Sequence, residues 1–291
     1  MTRAMRLQAF AKVNYALEVR GVRPDGYHKI STVLQSISLA DEVEIERTGL
    51  GFELIVEPEG VGIGPPEENT VYKSWTLLCE ASGEELPARI RLRKQVPAGA
   101  GLGGGSADAA AALVGLNELF GLGLSNANLR EIGLRVGVDV AFCIEGGTAL
   151  GEGTGEILSP LPKPPPHHLV IAKPTAGAET ARIYRAHDER SGGGFLSVTP
   201  ILEALRAGDL YALAHGVDND LAPVTEGLVP EVGALGEQLL EAGALGAAMS
   251  GTGTAVYGIF GSGAEARAAV DGLRVHYAVV CEPVPHGVVV L

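Results

Sequence analysis

The segment PAGAGLGGGSADAAAA, residues 97–112, places five glycines between residues 99 and 105 and then becomes an alanine-rich, helix-forming run. Glycines lack a Cβ atom, so a ligand can approach their main chain closely. The start of a helix carries free N–H groups with partial positive charge, which attract anions. The segment therefore predicts a loop that holds phosphate groups. Ser106 is the predicted N-cap of the helix that follows, and Gly121 is placed to end it.

Two common phosphate loops do not account for this segment. Gly99, Gly101 and Gly104 satisfy the G-x-G-x-x-G spacing of dinucleotide-binding folds. In that fold an acidic residue about 20 positions later ends a second strand, whereas Glu118 lies inside the predicted helix. A Walker A loop requires a Lys-Ser or Lys-Thr pair after the glycines, and this segment has none.

The composition excludes several classes of protein. The 291-residue chain is 46% hydrophobic and 20% charged, which is typical of globular proteins, and its length favours two domains. Its formal net charge of −13 has the wrong sign for binding nucleic acid through phosphates. Three widely spaced cysteines predict neither a disulfide framework nor a zinc site. No signal peptide or long apolar stretch is visible, so we expect a cytoplasmic protein, monomeric or homodimeric, without membrane or nucleic-acid partners.

Hydrophobic periodicity predicts a mixture of strands and helices, an α+β class. Residues 6–20 alternate as a half-buried strand with Lys12 and Asn14 on its polar face. The other predicted strands are 42–47, 52–57, 89–96, 168–172, 254–260 and 277–282. The predicted helices are 69–81, 106–120, 179–188, 230–242, 263–274 and helices within 200–215, with a loop at 192–194. The proline-rich stretch 159–168 predicts a stiff linker, so we divide the chain into domains 1–156 and 157–291.

The segment RPDGYH, residues 23–28, predicts a turn. Pro24 presets φ, Asp25 can bond its own backbone, and Gly26 tolerates the left-handed region. Tyr27 and His28 follow the tip of the turn, so two ring side chains are held together there.

Three segments resemble the GHMP kinases, a family of small-molecule kinases. PAGAGLGGGSA resembles the P-x-x-x-G-L-G-x-x-S-x phosphate loop of that family. AKVNYALEVRGVRPDGYHKISTVLQSI, residues 11–37, and GVDVAFCIEGGTALGEGTGE, residues 137–156, are similar to its members that act on a cytidine diphosphate-linked methylerythritol. The resemblance implies a two-domain GHMP kinase fold with ATP and substrate in the cleft between the domains. It also implies Mg²⁺-dependent transfer of the ATP γ-phosphoryl group to the 2-hydroxyl of that small-molecule substrate.

The resemblance assigns catalysis to Asp139, as the base, and to Lys12, as its cationic partner. Taken alone, Asp139 is a carboxylate among apolar neighbours, which is costly unless a cation lies opposite. We therefore expect the two side chains to face one another. A helix cap or turn position for Asp139 and a solvated strand face for Lys12 are the alternatives that the residues alone leave open.

The remaining site residues are also implied by the resemblance. The residues assigned to ATP are Pro97, Gly99, Gly101, Leu102, Gly103, Gly104, Gly105, Ser106, Ala107, Asn69 and Lys94. Ser106 is in addition the candidate Mg²⁺ ligand. The residues assigned to the substrate are Asn14, Tyr27, His28 and Tyr184, with the two tyrosine rings sandwiching the base and His28 reading its edge. The turn MSGTGTAV, residues 249–256, matches a glycine motif that backs the phosphates, and the Asn219-Asp220 pair is expected to be structural.

Two alternatives remain. Another GHMP kinase, acting on homoserine or mevalonate, would give Tyr27 and His28 no base to bind. A non-catalytic nucleotide-binding sensor would need no base, and Lys12 and Asp139 are both present.

Overall fold

The computed structural model of the chain describes residues 4–58, 65–190 and 196–291, and the loop predicted at 192–194 lies outside them. The described residues form a mixture of strands and helices, which confirms the α+β class. The strands are β1 (Ala4–Val22), β2 (His28–Arg47), β3 (Phe52–Glu57), β4 (Ala88–Arg93), β5 (Thr148–Gly153), β6 (Ile157–Pro160), β7 (His168–Lys173), β8 (Asp218–Asn219), β9 (Gly246–Met249), β10 (Val256–Phe260), β11 (Tyr277–Cys281) and β12 (Val288–Val290). The helices are α1 (Thr70–Ser82), α2 (Gly104–Phe120), α3 (Asn126–Val136), α4 (Val138–Glu145), α5 (Thr180–Asp188), α6 (Thr199–Ala207), α7 (Leu210–Gly216), α8 (Ala222–Leu228), α9 (Glu231–Glu241) and α10 (Gly263–Gly272).

The larger sheet is built on β1 and β2, two long antiparallel strands joined by the turn predicted at 23–28. Its order is β12-β1-β2-β4-β3, with β5 also pairing with β2, β6 with β5, and β8 with β1. In the turn, the backbone N–H of Tyr27 donates to Asp25 Oδ1 at 3.1 Å, and Gly26 has φ of +85°, as predicted. The turn therefore fixes Tyr27 and His28 at one end of the sheet.

The middle of β1 is buried on both faces, so the expectation of a half-buried strand is wrong there. Lys12 and Asn14, placed on the polar face, are only 4% and 3% exposed. The glycine loop lies against this stretch: the backbone N–H of Lys12 donates to the Leu102 carbonyl at 2.9 Å, and a Cβ at Gly103 would stand 2.9 Å from Lys12 Cγ on that face. The pairing of β1 with β2 shifts register on either side of this stretch, as at a β-bulge, a device that re-aims side chains beside active sites.

Helix α2 begins earlier than predicted. Its N-cap is Gly103, whose φ of +69° is left-handed, and Ser106 lies within the first turn instead of capping it. The prediction of Ser106 as N-cap is therefore wrong, because the glycines let the N-cap lie three residues earlier, at Gly103. Gly121 ends the helix as predicted. Helix α2 is buried through its alanine run and packs against β1, β2, α1 and α4.

The smaller sheet is antiparallel, in the order β11-β7-β10-β9, and it is packed by α9 and α10. One hydrophobic cluster joins the two sheets, and Tyr15, Ile37, Leu169 and Tyr257 all belong to it. The strands β6, β8 and β12 follow residue 156 and pair within the larger sheet, and the division at 156/157 stays a prediction. Among the helices of the described ranges, none has the length and apolar character needed to cross a bilayer.

Candidate active site

Lys12 and Asp139 form an ion pair. Lys12 lies in the bulged part of β1 and Asp139 in the first turn of α4, and Lys12 Nζ is 3.3 Å from Asp139 Oδ2. The lysine side chain is only 5% exposed, whereas the aspartate is 38% exposed and borders the central cleft. The predicted pairing of these two side chains is confirmed. The buried cation is thus neutralised by a carboxylate that ligands in the cleft can reach.

Asn14 holds the amino group of Lys12 in position. Its Oδ1 accepts from Lys12 Nζ at 2.9 Å and from the backbone N–H of Gly251 at 3.0 Å. Its Nδ2 donates to Thr32 Oγ1 at 2.7 Å, and that hydroxyl donates to the Ala16 carbonyl. Because both ends of the amide are engaged, Asn14 has a positioning role toward Lys12, and its predicted contact with substrate stays a prediction.

The glycine loop curves around the lysine. Gly99, Gly101 and Gly103 all have positive φ, and a Cβ at Gly103 would stand 2.9 Å from Lys12 Cγ. The loop leads directly into α2, whose first backbone N–H groups have no acceptor within the helix. Ser106 borders the same cleft from the first turn of α2. The loop therefore presents backbone donors and one hydroxyl beside the ion pair.

The turn at 249–256 backs the glycine loop from the other sheet. Ser250 Oγ donates to the Gly101 carbonyl at 2.9 Å, and the backbone N–H of Ala255 donates to the Ala100 carbonyl at 3.1 Å. Asn219 Nδ2 donates to the carbonyls of Met249 and Gly251 at 2.9 and 2.8 Å. The predicted structural role of the Asn219-Asp220 pair is confirmed, since the Asp220 carboxylate also accepts from the Val19 backbone.

Lys94 lies beneath the loop between two buried carboxylates. Its Nζ bonds to Asp41 Oδ2 and, at 2.6 Å, to Asp108 Oδ2. Burial alone would lower the pKa of Lys94, but the charges of Asp108 and Asp41 outweigh it and raise that pKa. Asn69 caps α1, its Oδ1 accepting from the Val71 backbone at 2.8 Å. The structure thus gives both residues structural partners, and their contact with ATP stays a prediction.

Three aromatic side chains, Tyr27, His28 and Tyr184, border the same cleft as the ion pair. Tyr27 is 63% exposed. Tyr184, on α5, stacks on His28 with ring centroids 4.5 Å apart, and burial, followed by the charge of Asp139, raises its pKa to about 12. His28 Nε2 is 2.7 Å from Asp188 Oδ1. His28 therefore covers one face of the Tyr184 ring. The predicted sandwich of a base between the two tyrosines stays a prediction.

One cleft of about 990 Å³ connects these groups. Its walls include Lys12, Asp139 and Ser106 as well as Tyr27, His28 and Tyr184. The volume is at the upper end of the range for small-molecule sites. The loop, the ion pair and the aromatic turn therefore border one cleft, as the resemblance implied, and their roles stay predictions.

Several residues of the cleft were not predicted. Thr32, which accepts from Asn14, is an ordinary strand residue with no motif of its own. Ser250, which holds the loop, lies in the turn 249–256 that the sequence singled out, but was not itself named. Asp188 lies four residues after Tyr184 on the predicted helix 179–188, so the i, i+4 spacing placed both on one helix face and could have revealed it.

Comparison with known proteins identifies the family. The model for the GHMP kinases N terminal domain matches residues 69–147, and the model for the GHMP kinases C terminal domain matches residues 201–279. A 4-diphosphocytidyl-2-C-methyl-D-erythritol kinase of Pelotomaculum thermopropionicum is 45% identical over 251 residues, covering 86% of this chain and 87% of the relative. A corresponding enzyme of Moorella thermoacetica is 43% identical over 277 residues, covering 94% of this chain and 96% of the relative.

Solved structures agree with this comparison. The crystal structure of a 4-(cytidine 5'-diphospho)-2C-methyl-D-erythritol kinase has a TM-score of 0.81 and 35% identity, covering 97% of this chain and 99% of that one. A homoserine kinase from Cytophaga hutchinsonii also has a TM-score of 0.81, at 20% identity over 99% of this chain and 97% of that one, and shares the fold. The chain therefore belongs to the GHMP kinase family and, within it, to the 4-diphosphocytidyl-2-C-methyl-D-erythritol kinases.

Proposed function

We propose that the protein is an ATP-dependent kinase that phosphorylates the 2-hydroxyl of 4-diphosphocytidyl-2-C-methyl-D-erythritol in the non-mevalonate isoprenoid precursor pathway. The observation that carries this proposal is the Lys12–Asp139 ion pair, which borders the same cleft as the glycine loop and the aromatic turn. A cleft bordered by a glycine loop, a paired carboxylate and ring side chains has the groups that such a transfer requires.

Asp139 is the proposed acceptor of the hydroxyl proton. In phosphoryl transfer the protein contributes mainly positioning and charge stabilisation, with one group that orients the attacking hydroxyl. Asp139 is suited to this because its carboxylate is partly exposed to the cleft at the start of α4. Lys12, held by Asn14 and nearly excluded from water, provides a fixed positive charge beside it.

The glycine loop is the proposed site for the phosphates of ATP. The residues from Pro97 to Ala107 surround the start of α2, whose free N–H groups favour anions. Such backbone donors can hold an anionic ligand on a chain with a net charge of −13. Asn69 and Lys94 are proposed to border the nucleotide from α1 and from the end of β4.

Ser106 is the proposed protein ligand of Mg²⁺. Within the described residues, no three His, Cys, Asp or Glu side chains gather into a metal site. Mg²⁺ in kinases does not require such a cluster, because it takes one or two protein oxygens and completes its shell with phosphate and water oxygens. When bound, Mg²⁺ would neutralise charge on the phosphate oxygens. The Ser106 hydroxyl, facing the cleft beside the loop, is placed to contribute one oxygen.

The aromatic turn is the proposed site for the cytosine. Tyr27 and Tyr184 supply ring faces, and His28 supplies a polar edge, all bordering the cleft. The alcohol and its diphosphate are proposed to extend from these rings toward the glycine loop. Asn14 also borders the cleft.

The proposal is tested by ADP release from purified protein with Mg-ATP. The acceptors compared are 4-diphosphocytidyl-2-C-methyl-D-erythritol, the same alcohol without cytidine, homoserine and mevalonate. We expect turnover only with the cytidylated alcohol. Turnover with homoserine or mevalonate would instead identify another GHMP kinase activity. ATP binding without turnover on any acceptor would favour a nucleotide sensor.

A further inference from the structure

His28 and Asp188 are joined by a hydrogen bond that the proposed function does not use. His28 is the first residue of β2 and Asp188 the last of α5, and Nε2 lies 2.7 Å from Oδ1. The histidine side chain is 11% exposed, and the aspartate is 42% exposed. The contact therefore links the aromatic turn to α5 across 160 residues of sequence.

The position of Asp188 is not explained by its helix. A carboxylate in the last turn of a helix is disfavoured by the helix dipole, which favours cations there. Arg185 supplies such a cation in the same turn, and His187 Nδ1 is 4.0 Å from the same oxygen, beyond hydrogen-bond distance. Among the described residues, the side-chain hydrogen bond of Asp188 is the one between its Oδ1 and His28 Nε2.

This contact decides which nitrogen of His28 carries the hydrogen. A carboxylate accepts only, so the ring nitrogen that faces it must donate. In a neutral imidazole the other nitrogen then has a free lone pair. The stack with Tyr184, at 4.5 Å and 30°, keeps the ring from turning over. Nδ1 is left as an acceptor, and none of the described residues donates to it.

We propose that Asp188 is a positioning residue that fixes His28 with hydrogen on Nε2, so that Nδ1 accepts from the exocyclic amino group of cytosine and discriminates against uracil. Cytosine carries a donor amino group where uracil carries an acceptor oxygen. A lone pair fixed at Nδ1 accepts a hydrogen bond from the amino group of cytosine and is repelled by the oxygen of uracil. This inference rests on the proposed function, because it requires a cytidylated substrate.

The test compares kcat/KM for the cytidine diphosphate alcohol and for its uridine analogue in three variants. Asp188→Ala removes the acceptor, and we expect the cytidine-to-uridine preference to fall about tenfold, the effect of one hydrogen bond, mainly through KM. Asp188→Asn retains a carbonyl acceptor and should keep the preference within about twofold. Glu189→Gln, at the neighbouring exposed position, is the matched control and should match the wild type.

A role limited to holding α5 against β2 predicts a different result. Loss of such a contact would lower kcat/KM for both substrates alike and leave their ratio unchanged, and that outcome would overturn the inference. Absence of wild-type turnover on the cytidylated alcohol would instead overturn the proposed function, so the two failures are distinguishable.

A spectroscopic measurement tests the tautomer independently of activity. In the full-length protein labelled with ¹⁵N at its seven histidines, the His28 signals are identified by their loss in His28→Gln. We expect hydrogen on Nε2 alone at pH 8. A hydrogen on Nδ1 at that pH, alone or together with Nε2, would contradict the inference whatever the kinetics show.

Discussion

The backbone of Gly101 in the glycine loop lies directly against the backbone of Ser250 in the turn at 249–256. A Cβ at position 101 would overlap the Ser250 carbonyl oxygen and stand 2.9 Å from its carbonyl carbon and 3.0 Å from Gly253 N. The φ of Gly101 is +75°, a region that residues with a Cβ adopt at a cost. The two glycine motifs, whose residues 101 and 250 are 149 positions apart, thus act as one packed unit beside the ion pair.

Gly101→Ala is therefore expected to displace the loop. Backbone atoms, unlike the end of a flexible side chain, cannot move aside without moving the turn at 249–256. We expect a loss of at least about 2 kcal/mol of unfolding free energy, from strain plus overpacking, and a rise in KM for ATP of tenfold or more. Thermal unfolding and ATP titration of the turnover rate measure the two effects.

Gly121→Ala provides the matched control. Its φ of +68° is similar, and no atom lies within 4 Å of the added Cβ. We expect only the left-handed strain of about 1 kcal/mol, with KM for ATP unchanged. An equal loss of stability in both variants would show that the packing against Ser250 has little effect.

Local patterns in the sequence predicted the elements of this site but not their burial. The alternation of residues 6–20 placed Lys12 and Asn14 on one strand face, and that placement is correct. It could not show that the face is covered, because the covering residues, Leu102 and Gly251, are distant in sequence. Burial of a charged side chain depends on such tertiary contacts and is invisible to a period-two pattern.

The error at Ser106 has a similar cause. Serine before a helical run is a common N-cap, but Gly103 can adopt the left-handed conformation and begin the helix earlier. The early start moves Ser106 into the first turn, beside the cleft. The pairing of Lys12 with Asp139 was predicted because the resemblance supplied what spacing alone could not.

In the cluster of Lys94, Asp41 and Asp108, loss of the cation should lower the free energy of unfolding much more than loss of one anion. Lys94→Met leaves two buried carboxylates without a cation, and we expect a loss of about 3–5 kcal/mol of unfolding free energy. Asp108→Asn leaves one lysine with one aspartate, and Asp108 Oδ1 already has no hydrogen-bond partner among the described residues. We expect that variant to differ from the wild type by less than about 1 kcal/mol at pH 7 in urea denaturation.

The pH dependence of stability gives a second readout of the same cluster. Burial raises the pKa of Asp108 well above 3.8, although the charge of Lys94 acts in the opposite direction. The folded state then binds more protons than the unfolded state between 3.8 and the raised value, so the Asp108 contribution to stability decreases as pH rises through that window. In Asp108→Asn this contribution should disappear. An identical pH profile for variant and wild type would contradict the assignment.

Asp139→Asn tests the proposed base. Asparagine can still accept from Lys12 but cannot take a proton from the hydroxyl, so we expect kcat to fall by at least about 10²-fold while the dissociation constant for ATP changes little. Glu145→Gln is the control on the same helix, because Glu145 pairs with Arg130 at the surface, at 3.2 Å, and with no other cation in the described ranges. Near-normal turnover of Asp139→Asn would remove Asp139 from the role of base.

Tyr27→Ala tests whether the exposed ring binds the base. Tyr27 is 63% exposed, so its removal should leave thermal stability unchanged. Stacking on one ring contributes about 1–3 kcal/mol, so KM for the cytidylated alcohol should rise roughly 5-fold to 150-fold while KM for ATP stays constant. Tyr211 is equally exposed, at 65%, and Tyr211→Ala serves as the control because that ring is not among the residues lining the cleft. If the two variants had the same KM for the alcohol, Tyr27 would be a surface residue, and base binding would depend on Tyr184 and His28.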